Sequence, residues 1–188
     1  MKIVYLHGLG SVGASAKSAA LIDAFGKENV LAPDLPLDPE ATIKLVSDLV
    51  YLPMKRKEKI LFIGTSLGGF WANYFSHMFH MECLIVNPML IPGEAFVSRT
   101  GTIVKNYDTG EETVMTAEIV RSFLSAQTEV ASPNLDLITM ILAQDDDVID
   151  YRTSMEQLPG VRTLITSDGG HRYMDHWADV VELAKSFG

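Results

Sequence analysis

The chain has 188 residues, of which 47% are hydrophobic and 21% charged, as expected for one globular domain. Its formal net charge of −9 argues against nucleic acid and anionic membranes as partners. Cys83 is the single cysteine, which excludes an internal disulfide, and the apolar run after Lys2 is too short for a signal peptide or a membrane span, so a cytoplasmic location is expected.

Short apolar runs alternate with amphipathic segments along the whole chain. Strands are predicted at Lys2–Leu6, Val30–Ala32, Lys59–Ile63, Cys83–Asn87, Leu137–Ala143 and Arg162–Thr166. Helices are predicted at Ala14–Phe25, Glu40–Leu52, Leu67–His80, Ala117–Thr128, Asp150–Leu158 and Asp175–Phe187. The strands are apolar on both faces, which is typical of a parallel sheet covered on two sides. The alternation therefore predicts a doubly wound α/β domain over residues 1–188, with about six mostly parallel strands.

Residues 89–130, called the insertion below, interrupt this alternation. A turn signal at Asn106–Gly110 separates two short runs that could form a hairpin, and a helix with a polar face follows from Ala117. The insertion follows a central strand, so one interpretation is a small lid or cap over a pocket. The other is an irregular segment that only packs on the sheet.

The sequence Gly64-Thr65-Ser66-Leu67-Gly68 lies between an apolar strand and an amphipathic helix. A serine at the apex of such a sharp strand-to-helix turn needs small neighbours, which Gly64 and Gly68 provide. The hydroxyl is then exposed beside a helix N-terminus, where negative charge is favoured. Ser66 is therefore the predicted nucleophile.

A serine hydroxyl needs a histidine as general base and usually a carboxylate that orients the histidine. His171 follows the last predicted strand in a glycine-rich loop, on the rim where Ser66 is expected, and is the predicted base. His7 precedes the nucleophile, and His176 begins the last helix. His77 and His80, which could in principle share a metal, are interpreted as surface residues of a helix.

The orienting acid is expected after the strand that precedes His171, where the chain reads Asp145-Asp146-Asp147-Val148. Three adjacent acids also resemble a metal site or a helix N-terminal cap. In this architecture the acid usually stands in an Asp-x-Val arrangement, which favours Asp146. Asp145 and Asp147 remain alternatives.

The backbone N–H groups of Leu67 and Leu9 are the predicted oxyanion donors. Leu67 follows the nucleophile, and Leu9 lies between Gly8 and Gly10 in the loop after the first strand. A competing interpretation is a phosphate-binding loop, because Gly8, Gly10 and Gly13 spell Gly-x-Gly-x-x-Gly. The acid expected for ribose binding does not end the second strand in the usual manner.

The order of several motifs resembles the α/β-hydrolase superfamily, and within it the small bacterial YqiA-like esterases, over nearly the whole chain. These motifs are Tyr5-Leu6-His7-Gly8, Ser15-Ala16-Lys17, Pro33-x-Leu35-Pro36, Gly64–Gly69, Val86-Asn87-Pro88, Tyr107–Gly110, Asp146–Tyr151 and Gly169-Gly170-His171. The resemblance implies an α/β-hydrolase fold and a triad of Ser66, Asp146 and His171. Asp145 departs from these relatives, which commonly have glycine before the acid.

The resulting hypothesis is a serine esterase that hydrolyses small acyl esters or acyl-CoA-like thioesters through an acyl-enzyme. No metal or organic cofactor is expected. Two alternatives stay open at this point. One is an acyltransferase that uses the same triad, and the other is a non-catalytic binding protein of this fold.

Overall fold

The computed structural model describes all residues from 1 to 188. Its strands are β1 Lys2–Leu6, β2 Val30–Leu31, β3 Ile60–Thr65, β4 Glu82–Val86, β5 Ile103–Lys105, β6 Glu112–Val114, β7 Ile138–Ala143 and β8 Arg162–Thr166. Its α-helices are α1 Ala16–Phe25, α2 Pro39–Lys55, α3 Leu67–Phe79, α4 Pro92–Val97, α5 Ala117–Glu129, α6 Tyr151–Gln157 and α7 Trp177–Lys185. No helix combines the length and the apolar character needed to cross a membrane.

Six strands form one parallel sheet in the order β2-β1-β3-β4-β7-β8. This sheet confirms the predicted fold class. Every residue of β3 and β7 is buried, because hydrophobic clusters cover both faces of the sheet. Parallel pairing brings the carboxyl ends of all six strands to one edge, which is where ligands bind in open α/β sheets.

The central helix α3 explains how one face of the sheet is closed. Its first ten residues are all buried, and its aromatic side chains pack against β3 and α5. A helix that is apolar nearly all round is stable only inside a protein. Trp71, Phe75 and Phe123 therefore join the helix, the sheet and the insertion in one cluster.

The last strand departs from the predicted pattern. We expected all strands to be covered on both sides, but β8 lies at the sheet edge and leaves Leu164 and Ile165 about 40% exposed (41% and 42%). Leu164 and Ile165 are the only apolar residues of this five-residue strand, and its place at the end of the strand order leaves them without a neighbouring strand on one side. The expectation of full coverage was wrong for this strand.

The insertion is ordered and contains the predicted hairpin. β5 pairs with β6 in antiparallel register, with Ile103 opposite Val114, and α5 begins at Ala117 as predicted. The sequence did not predict α4, a six-residue helix that starts at Pro92. α4 and α5 pack together, and Gln127 accepts the Gly93 N–H at 3.0 Å.

Candidate active site

Ser66 lies at a sharp turn between β3 and α3, with the unusual backbone angles φ 54° and ψ −122°. The turn is closed so tightly that a β-carbon on Gly64 would lie 1.9 Å from the carbonyl oxygen of Gly68. A β-carbon on Gly68 would lie 1.9 Å from the carbonyl oxygen of Leu6. Glycine is required at both positions because any side chain would force β1, β3 and α3 apart.

The structure brings Ser66, Asp146 and His171 together at the carboxyl edge of the sheet. His171 Nε2 lies 3.0 Å from Ser66 Oγ, and His171 Nδ1 lies 2.9 and 3.0 Å from the two carboxylate oxygens of Asp146. A carboxylate can only accept, so Nδ1 carries the proton and Nε2 accepts from the serine hydroxyl. These are the distance and the tautomer that a serine nucleophile and its base require.

The Asp146 carboxylate is buried, and its oxygens are occupied by donors. Its side chain is 1% exposed, whereas that of His171 is 20% exposed. Burial raises the pKa of Asp146, but hydrogen bonds from His171 and from the N–H groups of Ile149 and Val148 outweigh it, so the pKa is lowered. The carboxylate therefore stays ionised and can stabilise an imidazolium at position 171.

The two neighbouring acids do not face the imidazole in this way. Asp145 accepts the Gly170 N–H at 2.8 Å, while Asp147 is exposed and has no side-chain hydrogen bond. No group of three His, Cys, Asp or Glu side chains is arranged to hold a metal ion. The N-terminal cap of α6 is Asp150, outside the Asp145–Asp147 triplet.

The other histidines lie apart from this arrangement. His77 is in the last turn of α3, and His80 is the residue that ends it. His176 precedes α7 and contacts Asp168 and Asp179 at 3.1 and 3.5 Å. His7 is buried and is the first residue of the loop that follows β1.

The backbone N–H groups of both predicted oxyanion donors are free. Leu67 is the first residue of α3, so its N–H has no acceptor one turn earlier in the helix. The N–H of Leu9 has no acceptor in the chain. Gly8 approaches so closely that a β-carbon there would lie 3.8 Å from Ser66 Oγ. The two free N–H groups therefore belong to the residue after the nucleophile and to the residue after Gly8, whose backbone lies close to Ser66.

The alternative of a phosphate-binding loop is disfavoured by an acidic side chain. Asp34 Oδ1 accepts the Gly13 N–H at 2.7 Å, so this N–H is not free for a phosphate. The carboxylate would also repel an anion at that point. The first turn of α1 is closed instead by a reciprocal cap between Ser15 and Ser18.

His7 fixes the direction of the peptide bond between Gly8 and Leu9. Its Nε2 accepts the Leu35 N–H at 2.8 Å, so its Nδ1 carries the proton and donates to the Gly8 carbonyl at 2.8 Å. The C=O and N–H of a trans peptide point in opposite directions. Holding this carbonyl against His7 therefore turns the Leu9 N–H to the other side of the loop. Sequence reasoning considered His7 as a competing base and as part of the motif Tyr5-Leu6-His7-Gly8, but did not predict this contact.

We expect His7 to make stability depend on pH. Burial lowers its pKa, and hydrogen bonding to Gly8 and the carboxylates of Asp34 and Asp108 offset only part of this effect. The unfolded chain therefore binds the proton first as the pH falls below the ordinary value of 6.5. The free energy of unfolding should fall between that pH and the lower folded pKa, by at most about 1.4 kcal/mol per pH unit.

Urea unfolding of the wild type and the His7→Gln variant at pH 5, 6, 7 and 8 measures this effect. The glutamine can still accept the Leu35 N–H but does not titrate, so its free energy of unfolding should depend less on pH. His77→Gln, on the surface of α3, is the matched control and should follow the wild type. Parallel curves for the wild type and His7→Gln would contradict the prediction.

A cavity of about 130 Å³ opens beside the two free N–H groups. Its apolar lining consists of Leu9, Leu35, Pro36, Leu37, Leu67, Trp71 and Val104. Its polar side is formed by Ser11, Asn106, Glu111 and Thr113 together with the loop from His7 to Gly10. The lining thus comes from the loop after β1, the residues after β2, the start of α3 and the hairpin of the insertion.

A family model described as "Uncharacterised protein family (UPF0227)" matches residues 2–187. The chain belongs to this family. A UPF0227 protein of Pectobacterium carotovorum is 27% identical over 176 residues, which are 88% of this chain and 87% of that protein. The family match confirms the resemblance drawn from the motifs.

Solved structures similar to this UPF0227 chain have the α/β-hydrolase fold. A monoacylglycerol lipase from Paleococcus ferrophilus has a TM-score of 0.70 and 16% identity, with 99% of this chain and 94% of that chain covered. Est1E from Butyrivibrio proteoclasticus has a TM-score of 0.66 and 15% identity, with 98% and 85% covered. At these identities the likeness establishes the fold.

Proposed function

We propose that this protein is a serine esterase that hydrolyses small acyl esters or acyl thioesters through an acyl-enzyme. The observation that carries the proposal is the hydrogen-bonded series from Ser66 through His171 to Asp146. It joins an activated hydroxyl to a buried carboxylate beside two free N–H groups. A lipase and an esterase among the similar structures add support for ester substrates.

In the first half of the reaction, Ser66 Oγ attacks the acyl carbon while His171 Nε2 takes the hydroxyl proton. The N–H groups of Leu9 and Leu67 stabilise the negative charge on the tetrahedral intermediate. When the intermediate collapses, the bond to the alcohol oxygen or thiol sulfur breaks, and His171 gives its proton to that leaving group. Asp146 holds the imidazole in the required tautomer throughout.

In the second half, water attacks the carbonyl of the Ser66 ester, and His171 takes a proton from the water. The intermediate then collapses, the acid is released, and the proton returns to Ser66 Oγ. No metal or organic cofactor takes part in these steps. Ester and thioester substrates follow the same course because only the leaving atom differs.

In this proposal the 130 Å³ cavity described above holds the acyl group, and the insertion covers it. Val104 contributes to the apolar wall, and the hairpin turn is fastened to the loop after β1. The Tyr107 N–H donates to Gly10 O at 2.8 Å, and Asn106 Nδ2 donates to Ser11 O at 3.0 Å. The same contacts hold the loop that presents Leu9, so the cover also supports the oxyanion site.

Labelling with a fluorophosphonate tests the proposal, because only an activated serine reacts quickly with this probe. We expect one label per wild-type chain, located at Ser66 by mass spectrometry of peptides. His171→Ala should react far more slowly, and Ser66→Ala should not react. Ser98→Ala, at the exposed end of α4, is the matched control and should label like the wild type. A wild-type chain that stays unlabelled while another serine hydrolase in the same tube reacts would favour the non-catalytic alternative.

A further inference from the structure

The backbone of Gly170, one residue before His171, is held at both its N–H and its carbonyl. Its N–H donates to Asp145 Oδ1 at 2.8 Å, and its carbonyl accepts from Asn87 Nδ2 at 2.9 Å. Gly170 has a positive φ of 55° and nothing within 4 Å of where a β-carbon would be. Side-chain packing therefore cannot fix this residue. The Tyr173 N–H, 3.3 Å from Gly170 O, adds a contact within the loop, and the bonds from Asp145 and Asn87 tie Gly170 to the rest of the sheet edge.

Asn87 connects this loop to the strand that leads to Asp146. Its side chain is buried, and Oδ1 accepts the Ala143 N–H at 2.9 Å while Nδ2 donates to Gly170 O and, at 3.3 Å, to His171 O. Its own backbone N–H donates to Ile141 O at 2.9 Å. The φ of Asn87 is 43°, a conformation that asparagine tolerates better than most residues. One amide thus sets the distance between the end of β7 and the loop carrying the base.

Asp145 makes the second connection between the same two segments. The turn after β7 presents Asp146 to the imidazole of His171 and, one residue earlier, presents Asp145 to the N–H of Gly170. Two adjacent residues of the turn, Asp145 and Asp146, therefore bind two adjacent residues of the loop, Gly170 and His171. A hydrogen bond to an ionised acceptor is stronger than one between neutral groups. This contact is a structural role for Asp145, at the position where the resembling esterases commonly have glycine.

We propose that Asn87 and Asp145 are positioning residues, which hold the Gly170 backbone so that the His171 imidazole reaches Ser66 and Asp146 together. Neither side chain has a hydrogen bond to Ser66 or to the imidazole, so each acts through the loop. The catalytic consequence rests on the proposed esterase function. A displacement of about 1 Å at a reacting group can cost about 100-fold in rate.

The Asn87→Asp variant replaces the two N–H donors of the amide by a carboxylate oxygen. Aspartate has nearly the same shape, tolerates the same φ, and can still accept the Ala143 N–H. Its second oxygen would face two carbonyl oxygens, so the loop should move away. We expect kcat to fall about 10- to 100-fold while KM changes less than about threefold. Asn134→Asp is the matched control, because Asn134 lies before β7 at the opposite edge and aspartate can keep its contact with the Asp136 N–H.

Asp145 offers a test at an exposed position, where the variant is expected to fold. Asp145→Ala should lower kcat about 10-fold, and Asp145→Asn should recover part of the loss because its amide oxygen can still accept the Gly170 N–H. Asp147→Ala is the control, since Asp147 has the same charge and no such contact. A purely structural role would lower the melting temperature and leave the kcat of folded protein unchanged.

A measurement without substrate separates this inference from the function proposed above. The Nδ1 proton of His171, held by Asp146, should give a downfield proton NMR signal in the wild type and in Ser66→Ala. We expect the signal to broaden or disappear in Asn87→Asp and Asp145→Ala and to persist in Asn134→Asp and Asp147→Ala. If esterase activity proves absent, this signal still decides the positioning role. Wild-type signals in both test variants, or unchanged kcat in an active enzyme, would overturn it.

Discussion

The Ser66→Ala variant is expected to lose ester hydrolysis, with kcat/KM falling about 10⁴- to 10⁶-fold. The hydroxyl is the attacking group, and no other serine or threonine has a hydrogen bond to His171. Without it no acyl-enzyme forms, so the remaining rate comes only from water attacking a bound ester. Hydrolysis of a p-nitrophenyl ester and of an acyl thioester by the purified variants measures the loss.

The fold should survive this substitution. The Ser66 hydroxyl donates a hydrogen bond only to His171, and the side chain does not cap α3. Alanine therefore removes one partly exposed hydrogen bond. The melting temperature should stay within a few degrees of the wild type. Ser98→Ala again serves as the matched control for activity. Undiminished turnover by folded Ser66→Ala would refute the serine mechanism for either substrate type.

The alternation of strands and helices could be predicted because it depends on local patterns. The strands at Lys2–Leu6 and Arg162–Thr166 have their predicted bounds, and the hairpin follows from a turn signal inside the insertion. α4 could not be predicted, because a six-residue helix beginning with Pro92 is too short to show a helical period. The exposure of β8 could not be predicted either, since strand order depends on contacts distant in sequence.

The candidate site was predictable to different extents for different residues. Ser66 has a local signature, because its turn needs glycines at fixed positions, and His171 follows from its place after the last strand. Asn87 was missed as a site residue although it directly follows the central strand β4 in the motif Val86-Asn87-Pro88. An amide at the carboxyl end of a sheet strand was the available signal. Its three partners lie 56 or more residues away, so only the folded chain identifies them.

The Asp-x-Val pattern favoured Asp146 and left Asp145 and Asp147 as alternatives. The different contacts of the three acids lead to the second large effect that we expect. Asp146→Asn should lower kcat about 10⁴-fold, because an amide can donate to Nδ1 and stabilise the tautomer with its proton on Nε2, which cannot accept from Ser66. The amide oxygen can still accept from Val148, so the turn should keep its shape.

Replacing each of the three acids in turn by asparagine separates the loss of the Asp146 contact from a general loss of negative charge. Asp145→Asn should lose at most about 10-fold, since it keeps an acceptor for the Gly170 N–H, and Asp147→Asn should retain wild-type kcat. Steady-state kinetics at pH 7 to 8 with one ester provide the comparison, and circular dichroism verifies that each variant is folded. If Asp147→Asn produced the large loss instead, the acid that orients His171 in solution would differ from the one that contacts it here. The Asp146 carboxylate is the only one of the three held against the imidazole, so its neutralisation should change the chemistry far more than the fold.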